Sequence, residues 1–187
     1  KIENKSEKTV MDGIYQIAPQ ANENIVIEAS ESNTDNNGRV QIWQNFNVKA
    51  QKFNIEYLNG YYRISFCHSE KCLTIKNENI NSGTEVIQYE WKEGNNQKWI
   101  IRDNGDGSIG IVPLSNYSLT LDIYGPIANG SIMKLYYKEK NIKQRFVLMK
   151  TGIGVNIDSN KYPGVLEAVE QLTNSHPNWQ FEILYTG

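Results

Sequence analysis

Along the first 150 residues, short apolar runs alternate with polar positions, and each run ends in a cluster of turn-forming residues. Gly13–Ile17, Asn24–Glu28, Arg39–Trp43 and Lys52–Ile55 are rich in β-branched and aromatic residues and are divided by polar turns. Such brief alternation predicts strands, not helices. The pattern then returns. Gly13, Gly60 and Gly107 stand 47 residues apart, preceded by Asp12, Asn59 and Asp106 and followed four positions on by Ile17, Ile64 and Ile111. Each Asp-Gly or Asn-Gly pair reads as a turn feeding a strand. Gly38, Gly83 and Gly130 recur, with Trp43, Tyr89 and Tyr136 after them. A third series, Gln51 with Phe53, Gln97 with Trp99 and Gln144 with Phe146, is spaced 46 and 47. Independent markers with one spacing define a threefold repeat over 12–57, 58–103 and 104–149. A lone four-strand unit cannot cover its apolar face, and closing three units in a ring removes exposed edges. The expected fold is all-β, a β-trefoil of twelve short strands.

After Met149 the character changes. Thr151–Asp158 reads as a connector, and Pro163 fits the first turn of a helix with Val165, Val169 and Leu172 on one face. Glu167 and Glu170 fall on its solvated side. Pro177 closes the helix, and Trp179, Phe181, Ile183 and Tyr185 alternate as a strand. A helix and a strand cannot form a core alone. Residues 150–187 are therefore a linker and α/β extension that either docks on the trefoil or begins another domain. Residues 1–11 are an N-terminal segment outside the repeat.

Charge narrows the partners. Nineteen Lys and Arg face 21 Asp and Glu, a net −2, without the concentrated basic surface that nucleic acid requires. No apolar stretch nears the roughly 18 residues of a spanning helix, so membrane insertion is not expected. The chain opens on Lys1, with no signal peptide, and an upstream piece is expected to have been removed. Cys67 and Cys72 are spaced for a disulfide across a tight hairpin, and the sequence leaves the pairing open; a bridge would favour an exported protein. Two thiols with His68 fall short of a zinc site. Asp103–Gly107 has the acid density of a calcium loop but coincides with the repeated turn and lacks the terminal Glu. No nucleophile elbow, His-Glu-x-x-His or phosphate loop occurs, and His68 and His176 lie in turn contexts. Neither catalysis nor a cofactor is expected within these residues.

The repeat carries a family resemblance. Ile27–Ala29, Gly38, Val40–Trp43 and Gln51–Phe53 in the first copy are followed by Leu73–Ile75, Gly83, Val86–Tyr89 and Gln97–Trp99 in the second. Leu121–Ile123, Gly130, Met133–Tyr136 and Gln144–Phe146 form the third. Over residues 12–149 this order resembles the ricin B-type lectin repeat. The resemblance implies a carbohydrate ligand, of galactose or N-acetylgalactosamine type or a cell-wall glycan, bound by an acidic residue, an aromatic ring and amides in each copy. The first copy offers Glu28, Gln41, Trp43 and Gln51, with Ala50 where Asn is usual. The second offers Tyr89, Asn96 and Gln97, but Thr74 replaces the carboxylate and Ile87 the polar strand residue. The third offers Asp122, Lys134, Tyr136 and Gln144, with Lys143 in the Asn slot. By these residues the third site ranks first, the first site second, and the second is degenerate. Phe53, Trp99 and Phe146 read as core, and the three Gln as side chains that orient the carboxylate or bond backbone.

These residue types suit sugars. A carboxylate accepts two hydroxyl protons, a ring covers the apolar C–H face, and an amide both donates and accepts. Charge-assisted hydrogen bonds contribute about 1.5–3 kcal/mol and a ring contact about 0.5–1.5. After association entropy a single shallow site binds near millimolar, about −4 kcal/mol, and repetition raises that through avidity.

A second resemblance covers about 30 residues. Tyr162–Gly164, His176–Trp179 and Phe181–Gly187 resemble the entry segment of the glucosaminidase domain in clostridial-type cell-wall hydrolases (autolysins). It implies a secreted, cell-wall peptidoglycan hydrolase, an endo-β-N-acetylglucosaminidase whose catalytic residues lie beyond Gly187. The present chain is then its non-catalytic, monomeric targeting module. The alternative is a protein-interaction β-trefoil with degenerate sugar pockets.

Overall fold

Every apolar run in the repeat becomes a strand in the computed structural model, which describes residues 7–152, 155–156, 171 and 183–184. The first copy contains β1 (Gly13–Pro19), β2 (Ile25–Ala29), β3 (Gly38–Gln44) and β4 (Phe53–Tyr57). The second contains β5 (Tyr62–Phe66), β6 (Cys72–Ile75), β7 (Val86–Tyr89) and β8 (Trp99–Asp103). The third contains β9 (Ile109–Pro113), β10 (Leu119–Tyr124), β11 (Ile132–Tyr137) and β12 (Phe146–Gly152).

The outer strands of each copy form a closed antiparallel ring. β1 pairs β4, β4 pairs β5, β5 pairs β8, β8 pairs β9, β9 pairs β12, and β12 returns to β1. Closure leaves this barrel no free edge. The inner strands form three hairpins, β2–β3, β6–β7 and β10–β11, that cap one end. β3 joins β7 at Gly38↔Gln88 and Arg39↔Ile87, β11 joins β3 at Ile132↔Gln41, and a single bridge Glu85↔Lys134 closes the triangle. This is a β-trefoil.

Its core is built by the repeat. Phe53, Trp99 and Phe146 are fully buried, as are Ile17, Ile64 and Ile111 and the hairpin residues Ile27, Leu73 and Leu121. Burying one such aromatic removes about 150–250 Å² from water, worth roughly 4–6 kcal/mol of transfer free energy. Trp99 also donates its indole N–H to the Leu73 carbonyl at 2.9 Å, so burial leaves no orphan donor. At the other end Thr9 and Val10 donate their backbone N–H to the buried Tyr62 hydroxyl, each at 2.7 Å, and thereby tie the chain's entry to the barrel.

One expectation changes and one open question closes. Gly60 and Gly107 adopt left-handed turns (φ 112° and 82°) between consecutive barrel strands, whereas Gly13 simply begins β1. Among the described residues no barrel strand precedes it from which to turn. The two cysteines are not joined. Across the β5–β6 hairpin Cys72 lies opposite Ser65, not Cys67, and its thiol contacts the Ser65 hydroxyl at 3.8 Å. Burial pushes the Cys72 thiol up to about 11. The Asp103–Gly107 segment forms the β8–β9 turn, its carboxylates accepting the Gly105 and Ser108 backbone N–H groups. The helix expected from Pro163 lies, all but Gln171, outside the described residues. So does most of the strand expected over 179–185, of which Ile183–Leu184 pairs in parallel with Val155–Asn156.

Candidate functional site

Strand register decides which side chains share the outer face of each cap hairpin. Because Ile27, Leu73 and Leu121 point into the core, their neighbours Glu28, Thr74 and Asp122 point out. Directly opposite stand Gln41, Ile87 and Lys134, and two residues further along the same face stand Trp43, Tyr89 and Tyr136. The three constellations expected from the repeat are therefore assembled at three related places.

A glutamine clamps each one. Gln51, Gln97 and Gln144 end short 3-10 turns, Lys49–Gln51, Asn95–Gln97 and Ile142–Gln144, and all three are buried. Each side-chain oxygen accepts a loop N–H, from Phe46 at 2.8 Å, Lys92 at 2.7 Å and Glu139 at 2.8 Å. Each Nε2 donates to a carbonyl at or just past the strand's end, of Gln44, Glu90 or Tyr137, at 2.8–2.9 Å. The second Nε2 hydrogen goes to the residue in the acidic slot: Glu28 at 2.8 Å, Thr74 at 3.1 Å and Asp122 at 2.8 Å. One side chain thus shapes the loop and aims the acid.

In the first copy Glu28 is nearly buried and takes two amide donors, Gln41 on Oε1 at 2.9 Å and Gln51 on Oε2 at 2.8 Å. Each carboxylate oxygen keeps a second lone pair for a ligand hydroxyl. Trp43 is half-buried and lies beside Gly130, where the backbone φ of +86° favours glycine. Asn96 of the second copy instead spends its side-chain amide on the Ile75 carbonyl at 3.0 Å.

The third copy is more open. Tyr136 is 44 % exposed beside Tyr137 at 59 %, their rings 6.0 Å apart edge to face. Among the described residues only Gln144 donates to Asp122, leaving Oδ1 for a ligand. Burial raises the Asp122 carboxyl above its ordinary value, opposed by the Gln144 hydrogen bond and by Lys143 and reinforced by Glu139. Lys134 does not join Asp122. Its ammonium sits instead 3.9 Å from the centre of the Tyr124 ring, a cation–π contact.

The second copy, ranked last by its residues, holds a cavity of about 410 Å³. Thr74, Ile87, Tyr89, Asn96 and Gln97 line it together with Asn37, Asn77, Glu78 and Lys92. Its carboxylate comes from Glu78, outside the repeated motif. Asn77 and Glu78 both adopt left-handed backbone, as Glu31 and Ser32 do after β2. An Asn-Glu pair following the β6 strand was the available signal, since Asn tolerates that conformation.

Known proteins share this fold. The chain matches the model of the ricin-type β-trefoil lectin domain-like family over residues 4–89 and 49–136. Among solved structures, a designed threefold-symmetric protein, ThreeFoil, aligns with a TM-score of 0.70 at 24 % identity, covering 74 % of this chain and 99 % of that one. A ricin B-like lectin of Macrolepiota procera, solved with lactose, aligns at 0.65 and 18 % identity, covering 76 % and 99 %. An exo-β-1,3-galactanase of Clostridium thermocellum aligns at 0.69 and 22 % identity, but there the match covers 78 % of this chain and only 31 % of the enzyme. Comparison with curated protein sequences finds no match. With the threefold strand ring, the clamped acids and a family match over most of its length, the chain belongs to the ricin-type β-trefoil lectin domain-like family.

Proposed function

We propose that this chain is a non-catalytic carbohydrate-binding module whose first and third copies take galactose- or N-acetylgalactosamine-type sugars. The observation that carries this reading is the pairing of a glutamine-held carboxylate with a solvent-facing ring on one face: Glu28 with Trp43, and Asp122 with Tyr136. A carboxylate held on its inner side by amides and open on its outer side is arranged to accept hydroxyl protons. The neighbouring ring covers the sugar's apolar face. The Macrolepiota procera lectin, solved with lactose, supports the ligand class.

We further propose that the module anchors a secreted cell-wall hydrolase to glycans. The resemblance of residues 162–187 to a glucosaminidase entry segment supports this, as does the trefoil within the much longer galactanase chain. The test is calorimetric titration with lactose, N-acetylgalactosamine and purified peptidoglycan fragments, on the natural chain and on Glu28→Gln plus Asp122→Asn. Millimolar binding lost in the double variant supports the reading. Silence towards all three ligands, or binding indifferent to both substitutions, sinks it.

A further inference from the structure

Beside each cap hairpin the barrel has a corner formed by one cross-strand pair and by the residue two positions after the site aromatic. In the first copy the pair is Met149↔Gln16, and Asn45 fills the corner by exchanging two amide hydrogen bonds with Gln16, at 2.8 and 3.2 Å. In the second the pair is Glu56↔Arg63. Arg63 donates to Glu56 at 3.0 Å and lies 5.5 Å from the Trp91 ring centre, so the corner is filled and neutral. The third copy breaks this arrangement. Its pair is Arg102↔Gly110, and the hairpin contributes Lys138.

No side chain fills that corner, and a cavity of about 370 Å³ remains. Among the described residues, neither the Arg102 guanidinium nor the Lys138 ammonium has a hydrogen-bond or ion-pair partner. A side chain on Gly110 would meet Arg102 Nη2 at 3.1 Å, so glycine is what lets the guanidinium lie there. Lys140 adds a third cation, while Asp103 and Glu139 supply two acids and Arg145 is committed to Asp106. The balance of the unpaired groups is positive. The cavity also adjoins the third site: Thr120, on its wall, is the cross-strand partner of Tyr136, and Gln144, another wall, is the donor to Asp122.

We infer that the third copy takes an acidic saccharide, its neutral ring on Asp122 and Tyr136 and its carboxylate or sulfate on Arg102 in this corner. The inference rests on the carbohydrate reading and specifies its ligand. A guanidinium presents a planar fork of donors that suits either anion, and the loss of water from an unpaired cation is offset only by such a partner. The cavity's size lies in the range of small-molecule pockets. In the other two corners the facing side chains are matched with one another, Gln16 with Asn45 and Arg63 with Glu56 and Trp91, so the preference belongs to one site in three.

The test is a nuclear magnetic resonance titration of the whole chain with lactose, 6′-sialyllactose, 6′-sulfated lactose and inorganic sulfate, following the Arg102 side-chain N–H and the Gln144 amide. The expected result is that one or both acidic sugars move both signals and bind about five- to tenfold more tightly than lactose, which moves Gln144 alone. The two acidic sugars separate carboxylate from sulfate. Arg102→Gln should bring the acidic-to-neutral ratio to about one, and Gly110→Glu, which fills the corner and gives Arg102 the carboxylate partner that Arg63 has in the second copy, should do the same. Equal affinity for neutral and acidic sugars, with Gln144 responding, overturns this inference and leaves the lectin reading intact. Acidic sugars that move Arg102 while lactose moves nothing support the acidic corner and count against the neutral pocket. An Arg102 response to inorganic sulfate as strong as to the sugars overturns the saccharide assignment, as does no Arg102 response at all.

Discussion

The barrel and the cap faces obey the same threefold repeat to different degrees. In the barrel the copies are interchangeable: Phe53, Trp99 and Phe146 are all fully buried, and so are Ile17, Ile64 and Ile111. On the cap faces only the glutamine clamp is uniform, while its acidic partner runs Glu28, Thr74, Asp122 and the facing residue runs Gln41, Ile87, Lys134. A shared core admits little change in volume, because each copy packs against the other two. The outer faces touch solvent separately, and each can differ at almost no cost to the fold. Architecture is thus held in common, and the chemistry of each face is set copy by copy.

The largest effect that would break this division is expected in the barrel. Trp99→Ala should cost about 3–5 kcal/mol of folding stability by opening a cavity and orphaning the Leu73 carbonyl. Denaturant unfolding measures it, and a loss below about 1 kcal/mol would show that the barrel tolerates divergence as the faces do. Next come the clamps, which sit on the boundary. Gln51→Ala leaves the Phe46 N–H, the Gln44 carbonyl and Glu28 without their partner and should cost about 1–3 kcal/mol. It should also abolish sugar binding at the first copy. Gln97→Ala removes the same backbone bonds but aims only a threonine, so it should lower stability comparably and leave first-copy binding unchanged.

The same division explains what the sequence made legible. Repeated glycines, β-branched runs and the Gln-x-aromatic series are dictated by packing and turns, so the trefoil and its buried aromatics could be read from spacing. The clamped acids were legible too, since Glu28 and Asp122 lie in the motif and register places them opposite Gln41 and Lys134. What escaped depends on where side chains turn across neighbouring strands and on the backbone conformation of one turn. Lys134 turns to Tyr124, Glu78 enters the second cavity from a left-handed turn, and the third corner is vacant because Gly110 faces Arg102 across two strands. The even spacing of Cys67 and Cys72 concealed a register that sets Cys72 against Ser65.

A smaller effect sharpens the contrast within the faces. Trp43→Ala should weaken first-copy sugar binding about two- to tenfold, the worth of one ring contact, and change stability by about 1 kcal/mol or less. Tyr136→Ala should do likewise at the third copy, with a still smaller stability change because that ring is more exposed. Titration followed by copy-specific amide signals would separate them. If either substitution unfolds the chain instead, the ring belongs to the core and not to a site.

The smallest effect is a pH dependence confined to the third copy. Burial raises the Asp122 carboxyl above its ordinary value of about 3.9, with Glu139 adding to the shift and Gln144 and Lys143 opposing it. A carboxyl raised on folding favours the folded chain when protonated, so that part of the stability is present below the unfolded value and is lost as pH rises through the folded one. Sugar binding has the opposite sign, because protonation removes an acceptor for the ligand's hydroxyl. In a Trp43→Ala background, third-copy affinity should therefore fall as pH drops from 7 towards 4, beginning above the range of an ordinary aspartate. The same linkage requires a neutral sugar to release protons on binding within that window, which calorimetry in two buffers of different ionisation enthalpy detects. Asp122→Asn should flatten both responses, and an affinity that stays level down to pH 4 in the parent would mean that Asp122 does not carry the sugar.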